Sequence, residues 1–337
     1  MAKAVIMAGG QGERFWPMTH EHFPKYCIPF YGKKTLLQKT LERLEKVYGR
    51  GGVYVITVAD HVKFIRRELP TLSKKNILIE PSRRNTAAAI YLSTTLLGKQ
   101  FGENEVVSFY PADHLIQNEK KFQATVKSAI ELASKRSDLV TIGIKPTFPA
   151  IGYGYIETGK SIAGSANAFG VKRFVEKPNY TTALSYVRKS NFFWNGGIFT
   201  WRVGVLLESM RRFSPEIVKT IDLAHLEKSY KKVKGVSIDY ALFEKADNIS
   251  MIRTDMDWCD VGSWDMYLAK NPWDPTGNYV DGVCVHEQTQ GSLLLNQTSK
   301  PLVALGLKDI IVVQTPQGTL VCRRGQAEQA ALLFKKL

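Results

Sequence analysis

Ala4-Val5-Ile6-Met7-Ala8-Gly9-Gly10-Gln11-Gly12-Glu13-Arg14 is the stretch on which the reading of this chain turns. Its apolar start reads as a strand and runs without a spacer into a glycine-rich turn. Residues without side-chain bulk let backbone N–H groups come close to phosphate oxygens, so the turn can cradle an anion, with Arg14 supplying a cation. It is not the dinucleotide fingerprint, because Phe15 stands where the third glycine is needed, nor a Walker A loop, because no Gly-Lys-Ser/Thr follows. A glycine turn after a strand serves a structural bend as readily as a phosphate grip, so the residues around it have to decide.

Outward from the loop, short β-branched runs alternate with helical periodicity. Ala4 to Met7, Val53 to Val58, Ile77 to Ile79, Val106 to Tyr110 and Leu139 to Ile144 read as strands, and Leu36 to Val47, His61 to Leu69, Thr86 to Leu97 and Lys121 to Ala133 as helices, the third with Asn85 as its N-cap. Strand and helix in alternation predict right-handed crossovers and a doubly wound α/β sheet, with ligands beyond the carboxyl ends of the strands. The regularity breaks after Lys145, where prolines and Gly152-Tyr153-Gly154-Tyr155 lead into strands near 155–157 and 171–175, an insertion with antiparallel pairing. Helices are expected again at Val203 to Arg212, Pro215 to Ala224 and Ile238 to Lys245. Beyond Trp273-Asp274-Pro275, closely spaced short strands without helices between them predict a small β-domain closed by a terminal helix. The division expected is 1–270 and 271–337.

With 337 residues and 44% hydrophobic content the chain can fill a sizeable core, and its 23% of charged residues lies in no disordered tract. The first apolar run stops at Gly9, far short of a signal peptide or bilayer span, so no membrane is expected and a cytoplasmic location follows. The four cysteines, Cys27, Cys259, Cys284 and Cys322, form no CxxC pair, which argues for free thiols. A net charge of +15 favours anionic partners. No zinc finger, RRM motif or basic heptad array turns that charge into a nucleic-acid module, so nucleic acid is not an expected partner.

The chemistry concentrates in a few segments. Lys25 in Phe23-Pro24-Lys25-Tyr26 and Lys177 in Glu176-Lys177-Pro178 are each held beside a proline that fixes local geometry, as phosphate clamps require. Asp113 follows the fourth strand directly and so projects at the ligand edge, where a carboxylate suits Mg²⁺; Asp260, from the acidic loop Asp255 to Asp260, is the second carboxylate. An N-cap role at the helix beginning near Ser263 competes for Asp260, and His114 reads as a structural hydrogen-bonder. Asn195, beside two glycines in the aromatic run Phe192 to Phe199, fits hydroxyl recognition on a sugar.

In this order, the segments resemble the nucleotide-sugar pyrophosphorylase family over most of residues 1–270. The motifs carrying the likeness are Ala8 to Arg14 with Pro17, Pro24-Lys25, Glu80-Pro81 with Arg84-Asn85-Thr86-Ala87, Pro111-Ala112-Asp113-His114, Gly152 to Ile156, Phe174 to Pro178, Trp194-Asn195, Ser237 to Ala241, and Trp258 with Asp260 to Trp264. The resemblance implies a Rossmann-like doubly wound mixed sheet of the nucleotide-diphospho-sugar transferase type, followed by a short left-handed β-helix. It also implies transfer of GMP from GTP to α-D-mannose 1-phosphate with Mg²⁺, giving GDP-mannose and pyrophosphate. Ala8, Gly9, Gly10, Gly12, Asn85 and Thr86 would then bind the nucleotide, Arg14 and Lys25 would be catalytic, and Asp113 with Asp260 would hold the metal. Gly152, Glu176, Lys177 and Asn195 would line the sugar phosphate site. Arg83 departs from the pattern where glycine is expected, Ala88 where proline is common, Ile151 where threonine is usual and Gly196 where serine often follows. A relative using another base or sugar, and a non-catalytic nucleotide-sugar binder, are the alternatives; exposed strands of the β-domain leave room for a homodimer.

Overall fold

The computed structural model describes residues 2–10, 12–19, 23–30, 32–165, 167–271, 273–327, 329 and 333. By internal contacts the chain separates into two compact units, one of residues 1–9, 40–112 and 116–259, the other of residues 10–39, 113–115 and 260–337.

The first unit is built on one sheet. Strands β1 (Lys3–Met7), β2 (Val53–Val58), β3 (Ile77–Glu80) and β4 (Val106–Pro111) lie in the order β3-β2-β1-β4, all parallel. Helices α1 (Leu36–Tyr48), α2 (Val62–Glu68) and α3 (Asn85–Phe101) separate them in the chain. β2 is buried at every position, which is why it reads as an unbroken Val/Ile-rich run rather than an alternation. The short β5 (His114–Ile116), α4 (Glu119–Lys135) and β6 (Leu139–Ile144) follow, then β7 (Tyr155–Ser161), β8 (Ala168–Val175), α5 (Tyr180–Val187) and β9 (Phe192–Arg202). β9 inserts between β4 and β6, antiparallel to both. Its buried aromatics make it a central strand, and the parallel order gives way there to a mixed sheet.

α6 (Val203–Phe213), α7 (Pro215–Thr220) and α8 (Leu226–Tyr230) precede β10 (Ile249–Thr254), which is parallel to β6 and antiparallel to β8. The core gathers Val5, Ile56, Val107, Phe109, Phe199 and Trp201 from the sheet with Ala87 to Ile90, Leu206, Met210 and Phe243 laid over it. The alanines at the start of α3 let that helix sit close to the sheet.

Three local readings change. Arg84, not Asn85, occupies the N-cap of α3 and makes no side-chain capping bond; Asn85 takes a left-handed φ of 63° and its Oδ1 accepts from the Thr86 N–H at 2.8 Å. The helix expected to Ala224 stops at Thr220, and the one expected over 238–245 is a π-turn at Asp239–Phe243. β10 has no counterpart among the expected strands, because Ser250 and Arg253 interrupt its apolar character.

In the second unit a 3₁₀ turn at Glu13–Phe15 follows the glycine loop, another covers Lys25–Cys27, and α9 (Trp264–Lys270) comes after β11 (Trp258–Asp260), of which only Asp260 belongs to this unit. Ser263 caps α9 by accepting from the Met266 N–H, so Asp260 does not serve as its cap. β12 (Tyr279–Asp281), β14 (Leu293–Asn296) and β16 (Ile310–Thr315) stack in parallel, as do β13 (Cys284–Glu287) and β15 (Leu302–Leu305). This is the coiling of a β-helix, finished by an antiparallel β17 (Gly318–Arg323) and filled by Leu294, Leu302, Ala304 and Val312. The terminal helix expected beyond it falls largely outside the described residues, as does Gln11 of the loop. Among the described residues no helix is long and apolar enough to cross a membrane.

Candidate active site

Two clusters contain most of the residues singled out above. In the second unit, Gly12 has a φ of 73°, and a Cβ placed there would fall 2.2 Å from Cβ of Lys25. Only glycine fits: any side chain would meet both a disfavoured backbone conformation and the stem of the lysine. The Gly12 carbonyl accepts from the Thr19 hydroxyl at 2.8 Å and from the Phe15 N–H at 2.9 Å, which closes the loop into its turn.

Lys25 is buried, and its Nζ lies 2.7 Å from Oδ2 of Asp113 and 3.3 Å from Oδ1 of Asp260. Both carboxylates are partly exposed, at 31% and 28%. Burial alone would push the Lys25 ammonium down, but Asp113 and Asp260 together outweigh it and raise its pKa. Burial likewise pushes Asp113 up, and the charges of Lys25 and His114 reverse this to leave its carboxyl below the usual range. Both groups are therefore charged at neutral pH. Ligand atoms of Asp113, His114 and Asp260 all lie within 4.8 Å of one another, an arrangement able to hold a metal ion. Burying an ammonium between two carboxylates costs desolvation energy, which is characteristic of working sites rather than of stabilising ion pairs. Arg14 runs along the next segment: a Cβ on Gly262 would lie 3.4 Å from its Nη1.

The other cluster belongs to the first unit. Asn195 donates through Nδ2 to Oδ1 of Asp239 at 2.9 Å, while its Oδ1 accepts from the Thr141 hydroxyl at 3.0 Å and the Gly197 N–H at 3.2 Å. These bonds fix the amide's orientation. The backbone of Gly154 passes close to it: a Cβ there would come 2.5 Å from Glu176 Oε2 and 3.4 Å from Asn195 Cβ, so a side chain at this position would displace the Glu176 carboxylate. Glu176 pairs with Lys177 at 3.2 Å, and Lys177 holds a φ of 44°, an uncommon conformation that sets its direction. Burial, then the neighbouring Glu176 carboxylate, lifts Asp239 to about 7; burial also raises Glu176. Asp239, quoted above only as part of a motif, is thus a member of this cluster, and no local signal in the sequence marks it as one.

The remaining candidates are placed differently. The Ala8 carbonyl accepts from the Thr57 hydroxyl at 2.7 Å, and Ala8 is fully buried behind the loop. Gly9 touches Glu80: a Cβ on it would sit 2.9 Å from Oε1. Gly10 and Gly152 have nothing within 4 Å of an added Cβ, so open space, not crowding, surrounds them. Thr86 is tied into the fold, its hydroxyl accepting from the Ile238 N–H at 2.8 Å, and the Asn85 side chain turns back on its own helix.

The nucleotidyl transferase family matches this chain over residues 3–276, and the MannoseP isomerase/GMP-like beta-helix domain over residues 283–337. An Escherichia coli mannose-1-phosphate guanylyltransferase is 34% identical over 351 residues, covering 99% of this chain and 75% of the relative. Among solved structures, a Thermus thermophilus protein described as a mannose-1-phosphate geranyltransferase superposes with a TM-score of 0.87 at 30% identity, covering 99% and 98% of the two chains. A Helicobacter pylori mannose-6-phosphate isomerase, at 24% identity and a TM-score of 0.63, covers 77% of this chain and all of its own, and shares the fold. The chain therefore belongs to the nucleotidyl transferase family, in the group of its mannose-1-phosphate guanylyltransferase relatives.

Proposed function

We propose that this protein transfers GMP from GTP to α-D-mannose 1-phosphate, forming GDP-mannose and releasing pyrophosphate. The observation that carries the reading is the Lys25–Asp113–Asp260 cluster beside a glycine loop that only Gly12 can close. The relatives' names supply the base and the sugar.

The paired oxygen donors suit a hard divalent cation, and Mg²⁺ is the one proposed. Held by Asp113 and Asp260, Mg²⁺ would supply charge neutralisation at the reacting phosphates. Backbone N–H groups at Gly9, Gly10 and Gly12, with Arg14, hold the triphosphate, and Asn85 with Thr86 lies toward the nucleoside. Glu176, Lys177, Asn195 and the open backbone at Gly152 receive the sugar phosphate. An oxygen of mannose 1-phosphate, already anionic and needing no general base, attacks the α-phosphorus in line. The bond from that phosphorus to its bridging oxygen breaks, and Lys25 and Arg14 offset the charge gathering on the departing pyrophosphate. Residues 1–270 form the catalytic domain and 271–337 a small β-domain in this reading, and the reaction runs in the cytoplasm.

A panel of nucleoside triphosphates against several sugar 1-phosphates, followed by pyrophosphate release with Mg²⁺, tests this. Release confined to GTP with mannose 1-phosphate is the expected result. Release only with dTTP or UTP would overturn the guanylyl assignment. Tight GDP-mannose binding without any release would make the protein a binder and not an enzyme.

A further inference from the structure

Arg83 follows the end of β3, and its side chain is exposed. The guanidinium nevertheless has a fixed seat across the carboxyl ends of β1 and β2. Its Nε donates to the Gly9 carbonyl at 3.2 Å, and its Nη2 lies 2.9 Å from Nε2 of His61. His61 is buried; burial first, then the Arg83 charge, lowers its pKa, so the neutral ring accepts at Nε2. These two bonds orient the guanidinium plane and leave its other N–H donors for a ligand.

An acceptor lies close to the same glycine. Glu80, the last residue of β3, is buried; its Oε2 accepts from the Tyr230 hydroxyl at 2.9 Å, and its Oε1 approaches to 2.9 Å of a Cβ placed on Gly9. Gly9 is therefore flanked by an oriented donor and a buried carboxylate whose Oε1 has no hydrogen-bond partner among the described residues.

Strand order says which part of a nucleotide reaches them. Along the sheet edge the strands run β3, β2, β1, β4, about 4.8 Å apart. In the proposed reaction the backbone N–H of Gly9, just beyond the carboxyl end of β1, takes phosphate oxygens. A nucleoside laid along the carboxyl edge from there carries its base toward β2 and β3, where Arg83 and Glu80 stand. Guanine offers O6 and N7 as adjacent acceptors that match an arginine fork, with donors at N1 and N2 for a carboxylate; uracil and thymine have no N7, and adenine puts a donor where guanine has O6.

We propose that Arg83 selects the base of the bound nucleotide, donating to O6 and N7 of guanine while Glu80 accepts from its N1–H and N2–H. This deepens the guanylyl-transfer reading and rests on it. Calorimetric binding of GTP, 7-deaza-GTP and UTP to the full chain with Mg²⁺, in the unaltered protein and in Arg83→Ala and Arg83→Lys, tests it without turnover. The unaltered protein is expected to bind GTP about 10-fold more tightly than 7-deaza-GTP, which lacks N7. Arg83→Ala should bind the two alike, and Arg83→Lys, which keeps the charge without the fork, should follow it; thermal melting confirms that both variants are folded. Equal weakening of GTP and UTP in Arg83→Ala would place the guanidinium on the phosphates and overturn the proposal, as would a 7-deaza discrimination that survives the substitution. Base preference here combined with no pyrophosphate release from mannose 1-phosphate would sink the transfer reading while upholding the base reading.

Discussion

At the scale of single residues, the site turns on how few charges are asked to balance one another. Removing Lys25 takes away the buried ammonium that pairs with both Asp113 and Asp260, and loss of one partner from such a group is poorly tolerated. Lys25→Met should therefore lower the melting temperature in EDTA, and Mg²⁺ should restore much of the loss by binding the folded state. In the assay for pyrophosphate release, Lys25→Met and Asp113→Ala should each lose about 10²- to 10³-fold in rate, the usual cost of deleting one preorganised charge. Near-normal turnover by folded Asp113→Ala would remove the metal assignment. Asp239 gives a prediction of opposite sign. Its folded pKa of about 7 lies above the ordinary 3.8, because of burial and the adjacent Glu176 carboxylate, so the folded state keeps a proton that the unfolded chain has released. Stability should fall as pH rises from 3.8 to about 7, and Asp239→Asn should flatten that slope in thermal melts. An unchanged slope would mean that the carboxyl titrates normally.

At the scale of elements, the fold is set by close approaches that apolar patterning does not disclose. Gly98 in α3 faces Val203 at the start of α6, and a Cβ on Gly98 would come 2.7 Å from Val203 Cγ1. Alanine there gains about 1 kcal/mol of helix propensity but overpacks the contact, so Gly98→Ala is expected to destabilise by about 1–3 kcal/mol overall. Combining it with Val203→Ala should recover part of the loss, a coupling of at least about 0.5 kcal/mol in denaturant melts. Additive losses would show that the two helices do not press on each other there. The caps of two other helices follow ordinary rules: Thr35 and Gln38 exchange bonds at 2.9 and 3.2 Å before α1, a capping box visible in Thr35-Leu36-Leu37-Gln38, and Ser263 caps α9. The π-turn at Asp239–Phe243 follows no such rule. It is what carries Asp239 to Asn195, and apolar spacing reads the same segment as a helix.

At the scale of the molecule, the glycine loop from Gly10 onward and the C-terminal β-region share one compact unit. The Thr315 hydroxyl donates to the Pro17 carbonyl at 3.3 Å, Gly318 lies against the Trp16 ring, and the Trp264 indole N–H donates to the Trp16 carbonyl at 3.1 Å. Deleting residues 271–337 is therefore expected to weaken GTP binding by about 10-fold or more, on the order of a lost anchoring contact, by removing what backs the loop. Gly318→Val, whose new Cβ would meet Trp16 at 2.9 Å, is the milder version, and it should raise the KM for GTP in a chain that still folds. GTP binding unchanged in both would mean that the loop holds its shape alone.

What the sequence determined by itself was local or contiguous: β1 with its glycine turn, β2, β3, β4 and β6 with helices α1 to α4 between them, β13 to β17 of the β-region, and the placing of Asp113 at a strand's carboxyl end. Those follow from periodicity and backbone sterics within a few residues; the short β5 and β12 were not among the expected strands. The tertiary structure alone decided that β9 lies between β4 and β6, that Asp260 meets Lys25 from 235 positions away, that Asp239 orients Asn195, and that Arg83 leans on His61 and Gly9. Each depends on packing between segments far apart in the chain, where burial and the pairing of polar groups choose among arrangements that local preference leaves equal.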